Sequence, residues 1–295
     1  MKFDTQSIRK GPIFKNVVIY TIPIILTSLL QLLFNAADLI VVGWFCGSNS
    51  VAAVGATSSL TNLIVNLFIG LSIGAGVAVA QGVGSGNDKS TSDAVHTAIP
   101  VAAISGLILT VVGVLFSEPM LRLMGTPDGK LLSLSSIYMR IYFCGIIFSM
   151  LYNFGSAVLR AVGDTRSPLI YLTVAGVLNV ILNIVFVAAF KMDVAGVALA
   201  TSISQAVSAV LVILALMKRT DSCRLVIKNM KIHKKALAKI VKIGLPAGLQ
   251  SSLFSISNVL IQSSVNSFGN TAMSGAAAAS SIEGFCYVSM NSFQQ

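Results

Sequence analysis

Asp38 is the residue around which any chemistry in this sequence would turn. It stands inside the run Ile22–Gly43, IPIILTSLLQLLFNAADLIVVG, which holds no other ionisable side chain. A carboxylate at the centre of a bilayer costs roughly 2.5–3.5 kcal/mol on insertion scales, so its presence there argues for a use, such as passing a proton. Asn35, three residues earlier, shares its helical face, and Asn179 and Asn183, four residues apart, share another. Thr201 follows in a later apolar run. Together these residues offer carboxylate, amide and hydroxyl oxygens, which suit a hard cation such as Na⁺ as well as a proton network. Interhelical hydrogen bonding is the alternative use of Asn179, Asn183 and Thr201, and a structural carboxylate paired with hydroxyls or amides is that of Asp38.

Four other polar residues in apolar surroundings, Gln31, Tyr138, Asn258 and Glu283, are candidates to line a substrate cavity. Asn258 would serve there or in packing, and Glu283 would either contact substrate or cap a helix end. Pro23 removes a backbone hydrogen bond inside its run and is a candidate conformational hinge. The four cysteines, Cys46, Cys144, Cys223 and Cys286, are scattered with no C-x-x-C pair, which reads as membrane packing rather than metal binding or disulfides. No Walker A pattern and no Ser/His/Asp, Cys/His or paired-carboxylate constellation is present. The expectation is therefore a protein that is not an enzyme and uses no cofactor, with H⁺ or Na⁺ as the only ion it handles.

The elements that position these residues follow from composition. The chain of 295 residues is 55% hydrophobic and 10% charged, and its mean hydropathy is +0.86. Soluble domains carry about 25% charged residues. Apolar runs long enough to span a bilayer recur, which predicts an all-α, polytopic membrane protein. The net charge of +10 sits in short loops, so membrane topology explains it better than nucleic acid does. Helices are predicted over Val17–Phe45, Val51–Gln81, Ala94–Phe116, Leu131–Leu159, from the Pro168 turn to Phe190, Val194–Met217, Ile243–Phe268 and from Thr271. The first run is too long for a signal-peptide core and should stay as an anchor. Lys and Arg concentrate in the N-terminal arm, after helices 2 and 4, and above all in the segment Lys218–Lys242, which holds nine. The positive-inside rule then places the N-terminus in the cytoplasm and the chain in the plasma (inner) membrane. The basic segment could also attract anionic membrane lipid.

An internal repeat divides the chain. Pro23 aligns with Pro246, 223 residues on, and the same offset pairs Ser28 with Ser251 and Asn35 with Asn258. After a loop three residues shorter, Gly55 aligns with Gly275. Six helices separate the copies, so both enter the membrane from the same side, as a parallel repeat. This predicts a six-helix N-terminal bundle over residues 1–217, a basic linker over 218–242, and the first two helices of a second bundle over 243–295. Two complete copies would need about 440 residues by repeat logic, so the chain reads as truncated in its second half.

Several segments carry a resemblance to a known family. Gly11-Pro-Ile-Phe-Lys15, Ile22-Pro23, Asn35-Ala-Ala-Asp38 with Val42-Gly43, Ala94-Val-His-Thr-Ala98 and, most specifically, Leu159-Arg-Ala-Val-Gly-Asp-Thr-Arg-Ser-Pro168 are similar to the multidrug and toxic compound extrusion (MATE) family. The resemblance implies twelve helices in two lobes. It also implies a secondary antiporter that exports drug-like, often cationic compounds in exchange for H⁺ or Na⁺ by alternating access. In many bacterial members an Asp on helix 1, an Asn and an Asp one turn apart on helix 5 and a Thr on helix 6 form the coupling site. Asp38, Asn179 and Thr201 match that pattern, whereas Asn183 stands where an Asp is frequent, which tilts the expectation toward protons. Glu283 lies where many relatives carry an acid. The expected partners are a small organic substrate and membrane lipid, with no nucleic acid. The alternatives are a lipid-linked oligosaccharide flippase of the same superfamily, or a truncated membrane protein that transports nothing.

Overall fold

The computed structural model describes residues 13–123, 129–266 and 290. Among them the chain forms α1 (Ile13–Phe45), α2 (Ser48–Gly84), α3 (Asp88–Leu123), α4 (Lys130–Ala161), α5 (Arg166–Asn183), α6 (Asp193–Met217) and α7 (Lys234–Asn266). A π-helical turn, Ile184–Ala189, extends α5, and a short 3₁₀ turn, Ile227–Asn229, lies between α6 and α7. No strand occurs among the described residues. Six of these helices are long and apolar enough to cross a membrane. They carry exposed large apolar side chains such as Leu107, Leu115, Ile170, Val177 and Ile181, which suit a lipid surround better than water.

Helix ends are set by short polar devices. Asn87 caps α3 by accepting the Ser90 N–H at Oδ1 (3.0 Å), which starts that helix six residues before the predicted Ala94. Between α4 and α5, Gly163 takes φ +88°, a backbone region that an L side chain rarely enters. Asp164 then accepts the Ser167 N–H (3.1 Å) and hydroxyl (2.7 Å). The corner is tied to its neighbours by Tyr20 Oη, which donates to the Arg160 carbonyl at 2.9 Å, and by Tyr152 Oη, which donates to the Pro168 carbonyl at 3.2 Å. The most specific stretch of the sequence is thus a structural turn. At the other end of α4, Arg140 reaches Glu118 (3.6 Å) and Ser117 (3.2 Å) on α3.

Three apolar clusters hold the bundle together. The largest, on the linker side, joins α2, α3, α4, α5, α6 and α7 through residues such as Val79, Ala98, Phe154, Leu172, Leu216 and Ile240. Cys223 and Leu225 of the linker are buried in it, 1% and 2% exposed. Burying one such side chain stabilises by about 1.5–3 kcal/mol, so this part of the 218–242 segment is docked on the bundle. Its last part is helical as well, because α7 starts at Lys234. A second cluster joins α2, α3 and α4 around Phe143, Met139 and Leu109. The third joins α1, α2 and α6 to the π turn through Val42, Ala53, Val187 and Val197. The predicted eighth helix lies outside the described residues.

Along α2 and α7 the contact is different in kind. A Cβ added at Gly244 would sit 2.6 Å from Leu71 Cα. One added at Gly70, Gly74 or Gly248 would run into the backbone of Gly248, Ile240 or Leu67. Two pairs of glycines spaced by four residues, Gly70/Gly74 and Gly244/Gly248, therefore let two helix backbones touch. The seam continues in hydrogen bonds from Asn66 Nδ2 to Ser255 Oγ (3.3 Å) and from Ser252 Oγ to the Leu63 carbonyl (3.4 Å).

Candidate functional site

A closed ring of polar side chains joins α1, α5 and α6. Asn183 Nδ2 donates to Asp38 Oδ1 at 2.5 Å and to Asn179 Oδ1 at 3.2 Å. Asn179 Nδ2 donates to Thr201 Oγ1 at 3.3 Å, and Thr201 Oγ1 donates to Asp38 Oδ2, also at 3.3 Å. Asp38 is 8% exposed, Asn179 5% and Asn183 0%. Helical periodicity accounts for the alignment, since Asn179 and Asn183 sit one turn apart on α5 and point at the same neighbour. By helical rise, Asp38 lies about 10 Å inside α1 from its Phe45 end.

The surroundings are dry on one side. Val41 and Val42, on the turn after Asp38, pack with Val187, Val194 and Val197. Tyr138 borders this cluster and stacks on Tyr142, with ring centroids 6.2 Å apart. Immediately after Asn183 the backbone loosens into the π turn Ile184–Ala189, a form that recurs at functional sites.

Chemically, the ring holds one negative charge, spread over two oxygens that accept two hydrogen bonds. The ring's other members, Asn179, Asn183 and Thr201, are neutral, so Asp38 is its one anion. Asn183 Oδ1 is buried with no hydrogen-bond partner. An unsatisfied buried acceptor costs free energy. A buried acceptor in this state has a lone pair open to an arriving donor or cation.

The ring brings together Asp38, Asn179, Asn183 and Thr201. It does not include Asn35, which is exposed and has no hydrogen-bond partner among the described residues. Gln31 is exposed on the same helix, and Tyr138 is half-buried beside the ring. Pro23 is buried in α1, about 22 Å from Asp38 by helical rise. Its carbonyl accepts the Thr27 hydroxyl at 2.7 Å, a back-bond that favours a bend. Asn258 lies on α7, with its side chain outside the described residues, and Glu283 lies outside them altogether. Sequence reasoning did not single out Tyr142, although its spacing of four from Tyr138 was visible. It also passed over Gly244 and Gly248, whose spacing repeats that of Gly70 and Gly74.

The chain is similar in sequence to known proteins and in its helix arrangement to solved structures. The MatE family profile matches residues 23–185. A probable multidrug resistance protein, YpnP of Bacillus subtilis (strain 168), is 32% identical over 273 residues, covering 91% of this chain and 60% of its own. The chain thus spans about 60% of the length of that curated relative. A solved multidrug resistance MATE transporter of the MOP superfamily in its outward-facing conformation is 25% identical, with a TM-score of 0.89, and the match covers 99% of this chain and 65% of that one. An inward-facing structure of such a transporter, 24% identical, matches less closely, with a TM-score of 0.73 over 88% of this chain and 56% of that one. With more than half of its length matched by the family profile and its helices superimposing on solved members, the chain belongs to the MatE family of membrane transporters.

Proposed function

We propose that the Asp38 ring is the ion-coupling site of a secondary antiporter that exports drug-like, often cationic organic compounds in exchange for H⁺ or Na⁺. The observation that carries this reading is the closed ring itself: a buried carboxylate whose two oxygens are held by Asn183 and Thr201 on two other helices, with Asn179 bridging those two partners. Binding an ion there changes the charge at the junction of α1, α5 and α6, and Pro23 gives α1 a place to bend in response. Transport then requires the ion to bind one of two lobe arrangements more tightly than the other. The α2–α7 seam closes the bundle on its linker side, and the better likeness to an outward-facing relative supports reading this state as open to the opposite side. The Lys/Arg-rich linker supports a cytoplasmic N-terminus in the plasma (inner) membrane. With Asn183 uncharged, the ring suits one proton better than a tightly held Na⁺. The multidrug names of the relatives favour small organic substrates over lipid-linked sugars.

The test is export of a fluorescent cationic dye from cells that carry the chain extended through a second six-helix lobe. Asp38→Asn is expected to insert normally and to abolish export. Unchanged export in that variant overturns the proposal. Dependence of the parent's export on a proton gradient, or on external Na⁺, identifies the ion.

A further inference from the structure

The linker does more than connect α6 to α7. Between Val226 and His233 it is pinned to the start of α3 at both ends. The Val226 N–H donates to His96 Nε2 at 3.1 Å, while His96 Nδ1–H donates to the Ser92 carbonyl at 2.8 Å. The His233 N–H donates to Thr97 Oγ1 at 3.1 Å, and its ring lies 3.6 Å from the Asp93 carboxylate. His96 is 4% exposed and Thr97 0%, so these pins are sheltered from water.

Between the pins the chain arches away and leaves a pocket of about 430 Å³ against α3, lined in part by Lys228, Asn229, Lys231 and His233. Asp93 is the one acidic side chain in its wall, and it faces His233. Lys228 and Lys231 are exposed and have no acidic partner among the described residues. Interleaved with them, Ile227, Met230 and Ile232 are 55%, 39% and 39% exposed. Two free ammonium groups and an amide on a fixed backbone, edged by outward aliphatic side chains, match an anionic head group with hydrocarbon beside it.

We propose that this pocket binds the phosphate of an anionic phospholipid in the membrane leaflet on the linker side. Lys228 and Lys231 meet the phosphate oxygens as point charges, and Asn229 donates from its amide. Ile227, Met230 and Ile232 enter the head-group boundary. The bound lipid would hold the linker, and with it the start of α7, at a fixed depth. This reading rests on the bundle spanning a membrane and is independent of what it transports.

The experiment uses the full chain, purified in detergent, with retained phospholipid measured by native mass spectrometry. Phosphatidylglycerol and phosphatidylcholine are offered together, then phosphatidylglycerol in the presence of inorganic phosphate. Preferential retention of phosphatidylglycerol is expected, falling roughly fivefold for each of Lys228→Ala and Lys231→Ala, from about 1 kcal/mol per lysine at an anionic surface. The pair Lys89→Ala and Lys218→Ala removes equal charge from exposed positions outside the pocket lining and is expected to leave retention unchanged. Equal loss in both pairs would mean diffuse attraction and overturn the pocket. Displacement of the lipid by millimolar phosphate would assign the site to the free ion and overturn the lipid assignment. A melting temperature unchanged from the parent excludes misfolding as the cause of any loss.

Discussion

Two helix contacts in this chain are built from opposite materials. Around Asp38, three helices meet through side-chain oxygens and nitrogens, and the contact depends on one negative charge. Along α2 and α7, backbone meets backbone at four glycines, flanked by uncharged hydrogen bonds from Asn66 and Ser252, and the contact depends on the absence of four side chains. By helical rise, Gly74 lies about 15 Å inside α2 from its linker-side end, whereas Asp38 lies toward the opposite end of α1. A charge-dependent junction can change its energy when an ion arrives. A backbone seam is fixed by shape and gives nothing to an ion. On the proposed function the junction would switch and the seam would close, and each half of that reading can be broken separately.

The largest effect should come from the charge. Asp38→Asn keeps the size of the side chain and removes the anion, so the bundle should fold and insert while export in the two-lobe form is lost. If the seam instead carried the switch, export would persist. Next in size is the seam. Gly74→Val or Gly248→Val places a branched side chain against backbone, and overpacking of this kind costs about 1–3 kcal/mol and sometimes more. With the four native cysteines replaced, the pair Asn66→Cys and Ser255→Cys is expected to be joined by a short bifunctional thiol reagent, since the tips of the native side chains, Asn66 Nδ2 and Ser255 Oγ, lie 3.3 Å apart. Adding Gly74→Val should cut that cross-linking sharply. An undiminished yield would show that the helices tolerate the extra volume and that the seam is not a tight closure.

The same contrast explains what the sequence disclosed. Pro23, Asp38, Asn179 and Asn183 stand out because polar or helix-breaking residues are rare in apolar runs, and the membrane makes each costly. The six membrane-capable helices were legible for the same reason. Asn35 was grouped with Asp38 by helical spacing, yet it lies outside the ring. A spacing of three puts two residues on one face without fixing which neighbour each meets. Glycine carries no polar signal, so Gly244 and Gly248 resembled ordinary membrane residues until α2 was seen against them. The start of α7 was hidden because lysines at Lys234, Lys235 and Lys239 look like a loop to a hydropathy count, although lysine is a good helix former. Cys223 and Leu225 are buried in the bundle for a reason no linear pattern shows, since the apolar cluster they join is assembled from helices far apart in the sequence.

Within the ring itself, the two bonds to Asp38 are unequal, which grades the remaining effects. Asn183 donates at 2.5 Å, and hydrogen bonds to charged groups are worth about 1.5–3 kcal/mol. Asn183→Ala is therefore expected to lower the melting temperature of the chain measurably and to weaken coupling in the two-lobe form. Asn183→Asp adds a second carboxylate beside the first and should raise Na⁺ dependence of export relative to proton dependence. No change in either would remove Asn183 from the coupling site. Thr201 donates at 3.3 Å, a longer bond with a weaker claim on the charge. Interhelical hydrogen bonds in membranes average about 0.6 kcal/mol, so Thr201→Val, which keeps the shape, should shift stability by roughly that amount and leave much of the export intact. A Thr201→Val loss as large as that of Asp38→Asn would mean that the hydroxyl is a direct ligand of the ion, and that the ring works as a coordination shell and not as a carboxylate with supports.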